Sequence, residues 1–124
     1  MLDHVNLPVS DIEWSKRFCE EALSPLGYEL LMEHPVLGAG FGRVGKPDLW
    51  IKQSATSAAV HVAFASPDRP TVDAFHRAAV AAGGHDNGRP GLRLEYHSSY
   101  YGAFVLDLDG NNIEAVCHRP ERNT

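Results

Sequence analysis

The chain is short of the features that mark several large protein classes. It has two cysteines in 124 residues, Cys19 and Cys117, far apart and with no CxxC spacing. They read as reduced thiols, so a disulfide-stapled scaffold is excluded. No apolar run approaches eighteen residues, so no segment reads as a membrane span. The opening "MLDHVNLPV" has no basic stretch leading into an apolar one, so no secretory signal is expected and the cytoplasm is the default address. Positive charge is scarce as well: 11 Lys and Arg against 16 Asp and Glu, for a net charge of −5. A basic face for nucleic acid or an anionic membrane is therefore not expected. "HPVLGAGFG" carries Gly38, Gly40 and Gly42, but not as GxGxxG, and it reads as a flexible connection into a strand. No Ser-His-Asp arrangement is supported by spacing.

What remains is the composition of an ordinary globular protein, 44% hydrophobic and 22% charged, long enough for one domain over residues 1–124. Periodicity divides it into strands and helices. "LDHVNLPV" alternates as a strand, and the following segment opens with the N-cap types Ser10 and Asp11. Ile12, Trp14, Phe18, Ala22 and Leu23 then fall largely on one helical face, ended by Pro25 and Gly27. "FGRVG" and "DLWIKQ" read as strands joined by a turn around Gly45-Lys46-Pro47. The second half begins again with a strand, "AVHVAFAS", and a helix, "TVDAFHRAAVAAGG". A polar, Gly-rich stretch follows, then strands "LRLEYH", "YGAFVLD" and "NNIEAVCH".

The order β-α-β-β-β thus occurs twice, in modules of about 1–57 and 58–124. At a constant shift of 57, His4 aligns with His61, Asp11 with Asp68, Phe18 with Phe75 and Gly27 with Gly84. The shift grows to 64 by the last strand, where Trp50 falls opposite Glu114. The fold class expected is α+β: two tandem βαβββ modules whose curved mixed sheets surround a cleft. Equivalent strand positions place His4 and His61 facing each other there. Glu114 interrupts an apolar strand, and an unpaired carboxylate buried there would be costly. Two imidazoles and one carboxylate on a concave face suit a divalent metal, Zn²⁺ or a three-ligand Fe²⁺ or Mn²⁺ site. His34, His76, His85, His97 and His118 read individually as ordinary structural histidines.

These segments resemble the vicinal oxygen chelate superfamily of glyoxalase, extradiol dioxygenases, and the fosfomycin- and bleomycin-resistance proteins. The resemblance runs through "LDHVNLPVSDIEWSKRFCEEALSPLGYEL", "HVAFASPDRPTVDAFHRAAVAAGG" and "YYGAFVLDLDGNNIEAV". The last is the most specific, an aromatic, a D-P-D-G-like turn with Leu108 in place of proline, and a glutamate four residues after the glycine. It implies metal ligands at His4, His61 and Glu114, and a divalent metal such as Fe, Mn, Zn or Ni. The fourth ligand of glyoxalase would fall at Trp50, with Lys52 the nearest polar residue of the same parity. Lactoylglutathione lyase chemistry, which needs a carboxylate there, is thereby disfavoured. Relatives with three ligands carry a tyrosine ten residues before the glutamate, where this chain has Phe104; Tyr100 and Tyr101 lie close by. The segment lining the substrate mouth in the family adds Arg93, His97 and Tyr101 as binding candidates beside Trp50 and Phe104. The resemblance implies a homodimer and a small-molecule ligand. It leaves two readings, a metal-dependent lyase or dioxygenase on an oxygenated substrate, and a metal-free binding protein of the bleomycin-resistance type.

Overall fold

The computed structural model describes residues 1–56 and 58–121. The expected module boundary at residue 57 lies outside them. The first unit runs β1 (Val5–Val9), α1 (Ile12–Leu23), a single 3₁₀ turn (Ser24–Leu26), β2 (Glu29–His34), β3 (Gly38–Arg43) and β4 (Lys46–Gln53). The second runs β5 (His61–Ala65), α2 (Arg69–Ala81), β6 (His85–Leu92), β7 (Tyr101–Leu106) and β8 (Asn112–Cys117). Each unit closes its own four-stranded sheet, in the orders β1-β4-β3-β2 and β5-β8-β7-β6. In both, the first strand pairs parallel with the last and the remaining ladders are antiparallel. The register reproduces the repeat: Asn6 stands opposite Trp50 in one sheet, and Ala63 opposite Glu114 in the other.

Alternation along the strands gives each sheet two unlike faces. Leu7, Val9, Phe41, Leu49 and Ile51 lie on the covered face of the first sheet, all 4% exposed or less. Phe64, Ala103, Val105, Ile113 and Ala115 lie on the covered face of the second, all buried. Helix α1 covers one face with Phe18, Cys19, Ala22 and Leu23, and α2 covers the other with Val72, Phe75 and Ala79. The two covered faces share one hydrophobic cluster. Asp11 and Asp68 cap the helices alike, accepting from the backbone N–H of Trp14 and Thr71. Each cap satisfies a donor left open at a helix start, an arrangement worth about 1 kcal/mol. Cys19 and Cys117 are free, buried thiols, and burial pushes Cys19 up to about 12. Among the described residues no helix is long and apolar enough to cross a membrane.

Three local expectations need correction. The segment Glu29–His34 is a strand, β2, although "ELLMEH" lacks alternation; it is an edge strand with a bulge between Leu30 and Met32. The turn before β4 is at Val44-Gly45, with Lys46 and Pro47 already paired in the strand. In the second unit the strand is "HDNGRPGL", not "LRLEYH". Pro90 has no N–H to donate, but β6 is a sheet edge, where that loss is tolerated. Residues 93–100 instead form a turn, held by Arg93 N–H donating to the Tyr100 carbonyl at 2.8 Å.

Candidate functional site

The open face of the second sheet carries a buried charge. Glu114 is fully buried, although its side chain points away from the helix-covered core. Its carboxylate has two partners: His61 Nε2 lies 2.6 Å from Oε1, and the Tyr100 hydroxyl donates to Oε2. Phe104 is the cross-strand neighbour of Glu114, and its ring lies 6.1 Å from that of His61. The Arg93 guanidinium stands 5.3 Å over the Phe104 ring, a cation–π distance that brings a positive charge to the rim. Gly102 leaves room here, since a Cβ on it would come 3.1 Å from the Tyr100 ring and 3.3 Å from Glu114 Oε2. Burial, and then the bond to Glu114, hold the Tyr100 hydroxyl well above the usual phenol range. It is thus a donor, not an anion.

The turn before β8 sets this strand in place. The carboxylate of Asp107 accepts from the backbone N–H groups of Asp109 and Asn111 and from the Asn111 amide. Asn111 in turn accepts from Val60 N–H at 2.9 Å, just before β5. Residues 107–111 therefore bind the start of β8 to the start of β5 and fix Glu114 against His61.

The other predicted residues are placed as follows. His4 stands one residue before β1, half-exposed, with Nδ1 2.8 Å from Asp3 Oδ1. Among the described residues no group of three or more His, Cys, Asp or Glu side chains lies close enough to hold a metal ion. Of the three expected ligands, His61 and Glu114 therefore stand together as a pair in this chain, and His4 is not grouped with them. The helix-covered faces meet in the common core, so the faces bearing these residues are the opposite ones. Trp50 is on the open face of the first sheet, packed over Gly40, where a Cβ would come 2.9 Å from the ring. His97 lies beside Tyr100 and is hydrogen-bonded to His118.

Tyr101 stands apart from the other binding candidates. It faces the helix side, where its hydroxyl donates to Asp73 at 2.6 Å beneath the Arg69 guanidinium. Burial and that bond push it up to about 12. There it lines a separate groove of about 940 Å³ with Arg69, Asp73 and Arg119. The residue at the carboxylate is Tyr100. Strand alternation separates the two, and a choice between neighbours could not be made without knowing where β7 begins.

No protein-family profile matches the chain, and no curated protein matches it. Solved structures do. A glyoxalase/bleomycin resistance protein from Albidiferax ferrireducens matches at 29% identity and a TM-score of 0.82, over 94% of this chain and 98% of that one. The chain shares its fold with this glyoxalase/bleomycin resistance protein and resembles the vicinal oxygen chelate superfamily. A glyoxalase/bleomycin resistance protein/dioxygenase family enzyme from Burkholderia phytofirmans shares the superfamily fold at 21% identity and a TM-score of 0.73, over 94% and 98% of the two chains. So does a putative glyoxalase from Bacillus halodurans, at 23% identity and 0.71, over 94% and 95%. Within the superfamily fold, the pair His61 and Glu114 occupies the second unit, and Trp50 stands at the matching point of the first.

Proposed function

We propose that the protein is a divalent-metal-dependent enzyme, of lyase or dioxygenase type, acting on a small oxygenated molecule in the cytoplasm. The observation that carries this reading is the fully buried Glu114 carboxylate with His61 Nε2 2.6 Å away, on a sheet face that no helix covers. Two such donors converge as ligands of one ion do. The third would be His4, and it comes from a second copy in a homodimer whose first sheet faces this one. His4 suits that role: Asp3 on Nδ1 leaves Nε2 free to ligate, the usual orientation of a carboxylate-backed metal histidine. When bound, the ion would supply Lewis acidity, polarising substrate oxygens. Arg93 and Phe104 then line one wall of the cleft and the partner's Trp50 the other. With Trp50 where a fourth carboxylate would stand, the reaction is other than lactoylglutathione isomerisation.

A second reading, a metal-free binding protein, is favoured by one feature. Both oxygens of Glu114 already have hydrogen-bond partners, so the carboxylate needs no ion to be tolerated. A titration separates the readings. Metal-stripped protein is titrated with Mn²⁺, Fe²⁺, Zn²⁺ and Ni²⁺ while thermal stability is followed. Ligand at a hundred times Kd stabilises by about 2.7 kcal/mol, several degrees in a domain of this size. His4→Ala, His61→Ala and Glu114→Ala should each abolish the gain. Mixing the His4→Ala and Glu114→Ala proteins should restore part of it through mixed dimers. If no metal stabilises the wild type, the metal reading fails and the binding reading stands.

A further inference from the structure

Beside the carboxylate lies a cluster with no counterpart in the first unit. The turn 93–100 returns on itself through four backbone bonds: Arg93 N–H to the Tyr100 carbonyl, Tyr96 and His97 N–H to the Arg93 carbonyl, and Tyr100 N–H to the His97 carbonyl. Its rings pack together, with Tyr96 4.7 Å and His97 5.5 Å from Tyr100. His118, just after β8, stacks on His97 at 5.1 Å and meets Tyr100 edge-on at 5.2 Å. Between the two imidazoles runs one hydrogen bond, His97 Nε2 to His118 Nδ1, of 2.9 Å.

The direction of that bond is fixed. Ser99 N–H donates to His97 Nδ1 at 3.0 Å, so that nitrogen carries no proton. The neutral ring then has its proton on Nε2 and donates it to His118 Nδ1. The turn is therefore tied to the end of β8 by a bond of defined polarity, four residues along the strand from Glu114. Tyr100, the last residue of the turn, is what reaches the carboxylate.

We propose that Tyr100 is the positioning residue for Glu114, and that the His97–His118 bond sets where Tyr100 stands. The inference rests on the Glu114–His61 site proposed above and adds what orients it. A carboxylate with a single partner can rotate about its last torsion; with His61 on one oxygen and Tyr100 on the other, Oε1 is held toward the open face. Residues that orient a ligand commonly matter about 10–100-fold in metal affinity without touching the ion.

The test reads orientation and metal binding separately. In metal-free protein at pH 7.5, imidazole ¹⁵N shifts of His61 report its bond to Glu114. Tyr100→Phe keeps the ring packing and removes only the hydroxyl. It should shift the His61 resonances, and it should weaken Mn²⁺ binding about tenfold. His118→Leu removes the acceptor for His97 and should move both readouts in the same direction. His118→Asn, whose amide oxygen can stand where Nδ1 stood, should restore them. The double variant Tyr100→Phe/His118→Leu should lose little more than Tyr100→Phe alone, because the clamp acts through Tyr100. Unchanged His61 resonances in Tyr100→Phe would overturn the proposal. So would losses that simply add in the double variant, or an asparagine variant as disturbed as the leucine one. If His61 responds as stated but the wild type binds no metal, positioning stands and the metal reading alone is lost.

Discussion

The two sheets are built to one plan, and one cross-strand pair separates them chemically. In the first sheet Trp50 on β4 pairs with Gly40 on β3; in the second Glu114 on β8 pairs with Phe104 on β7. The aromatic ring has changed strands, and the place it left holds a charge. Trp50 fills its position by packing over a glycine. Glu114 fills the equivalent position only because His61 and Tyr100 satisfy its oxygens. A buried carboxylate stripped of its partners costs several kcal/mol, so the two donors are a condition of the fold as well as of the site. His61 has a counterpart in His4. Tyr100 has none, since the shift of 64 that pairs Trp50 with Glu114 lands on Val36, which is exposed. Duplication thus accounts for His61, whereas Glu114 and the residue that holds it from the other side belong to one copy alone.

The largest expected effect comes from a glycine that both sheets share. The shift that pairs Gly40 with Phe104 also pairs Gly38 with Gly102. A Cβ on Gly38 would lie 1.9 Å from the Ile51 carbonyl oxygen, at a φ of +96°. Backbone cannot yield there as a side chain can, so Gly38→Ala should lose more than about 3 kcal/mol of stability, read by chemical denaturation. A Cβ on Gly102 meets two side chains first, Tyr100 and Glu114, and comes no nearer to backbone than 3.6 Å, at the Ala115 carbonyl oxygen. Gly102→Ala should therefore lose about 1 kcal/mol yet disturb the His61–Glu114 pair, seen in the His61 resonances. Equal losses at the two glycines would break the comparison: both would then be framework positions.

How much of this contrast was legible in the sequence follows from what each feature depends on. The repeat, the helix caps and the facing of Trp50 and Glu114 are carried by residue type at fixed spacing, and register leaves them as read. The strands that escaped notice, β2 and β6, are both sheet edges. Edge strands need no two-sided apolar pattern, so "ELLMEH" and "HDNGRPGL" carry little periodic signal. Tyr100 escaped for another reason. Its role depends on a turn whose shape is set by backbone bonds between residues 93 and 100 and by a histidine from β8's far end. None of that is periodic. Whether His4 joins His61 and Glu114 within one chain was not legible, because pseudo-symmetry fixes equivalent places, not which faces meet.

A smaller effect is expected at the hairpins. β3 and β4 are joined by two residues, Val44 and Gly45, with φ of 53° and 76°. Both central residues at positive φ define the turn that suits strand twist, and asparagine before glycine is its favoured pair. A β-branched valine is strained there, and Val44 is almost fully exposed, so its side chain packs on nothing. Val44→Asn should stabilise by about 0.5–1 kcal/mol, a rise in Tm of about 2–4 °C. A fall would mean that the strain at this turn is offset by a contact of the valine. The longer hairpin of the second sheet should not respond to the same kind of change, because Asp107, not a pair of positive φ values, shapes it.

The smallest effect is one of pH, and it belongs to that longer hairpin. Burial is the largest influence on Asp107 and raises its carboxyl above the ordinary 3.8, while bonds from Asn111 and from the Asp109 N–H oppose the rise. A carboxyl raised on folding binds its proton more tightly in the native state than in the unfolded chain. Between 3.8 and the raised value, stability therefore falls as pH rises, and above that window the loss is complete. Asp107→Asn removes the ionisation and keeps one oxygen as acceptor. Comparing Tm for the two proteins from pH 3 to pH 7 should show the wild type gaining on the variant as pH falls through the window. In the first sheet the equivalent turn has no buried carboxyl, so Val44→Asn should run parallel to the wild type over the same range. If the wild type instead loses ground on acidification, the three donors to Asp107 outweigh its burial. The turn before β8 would then be held by charge, as Glu114 is.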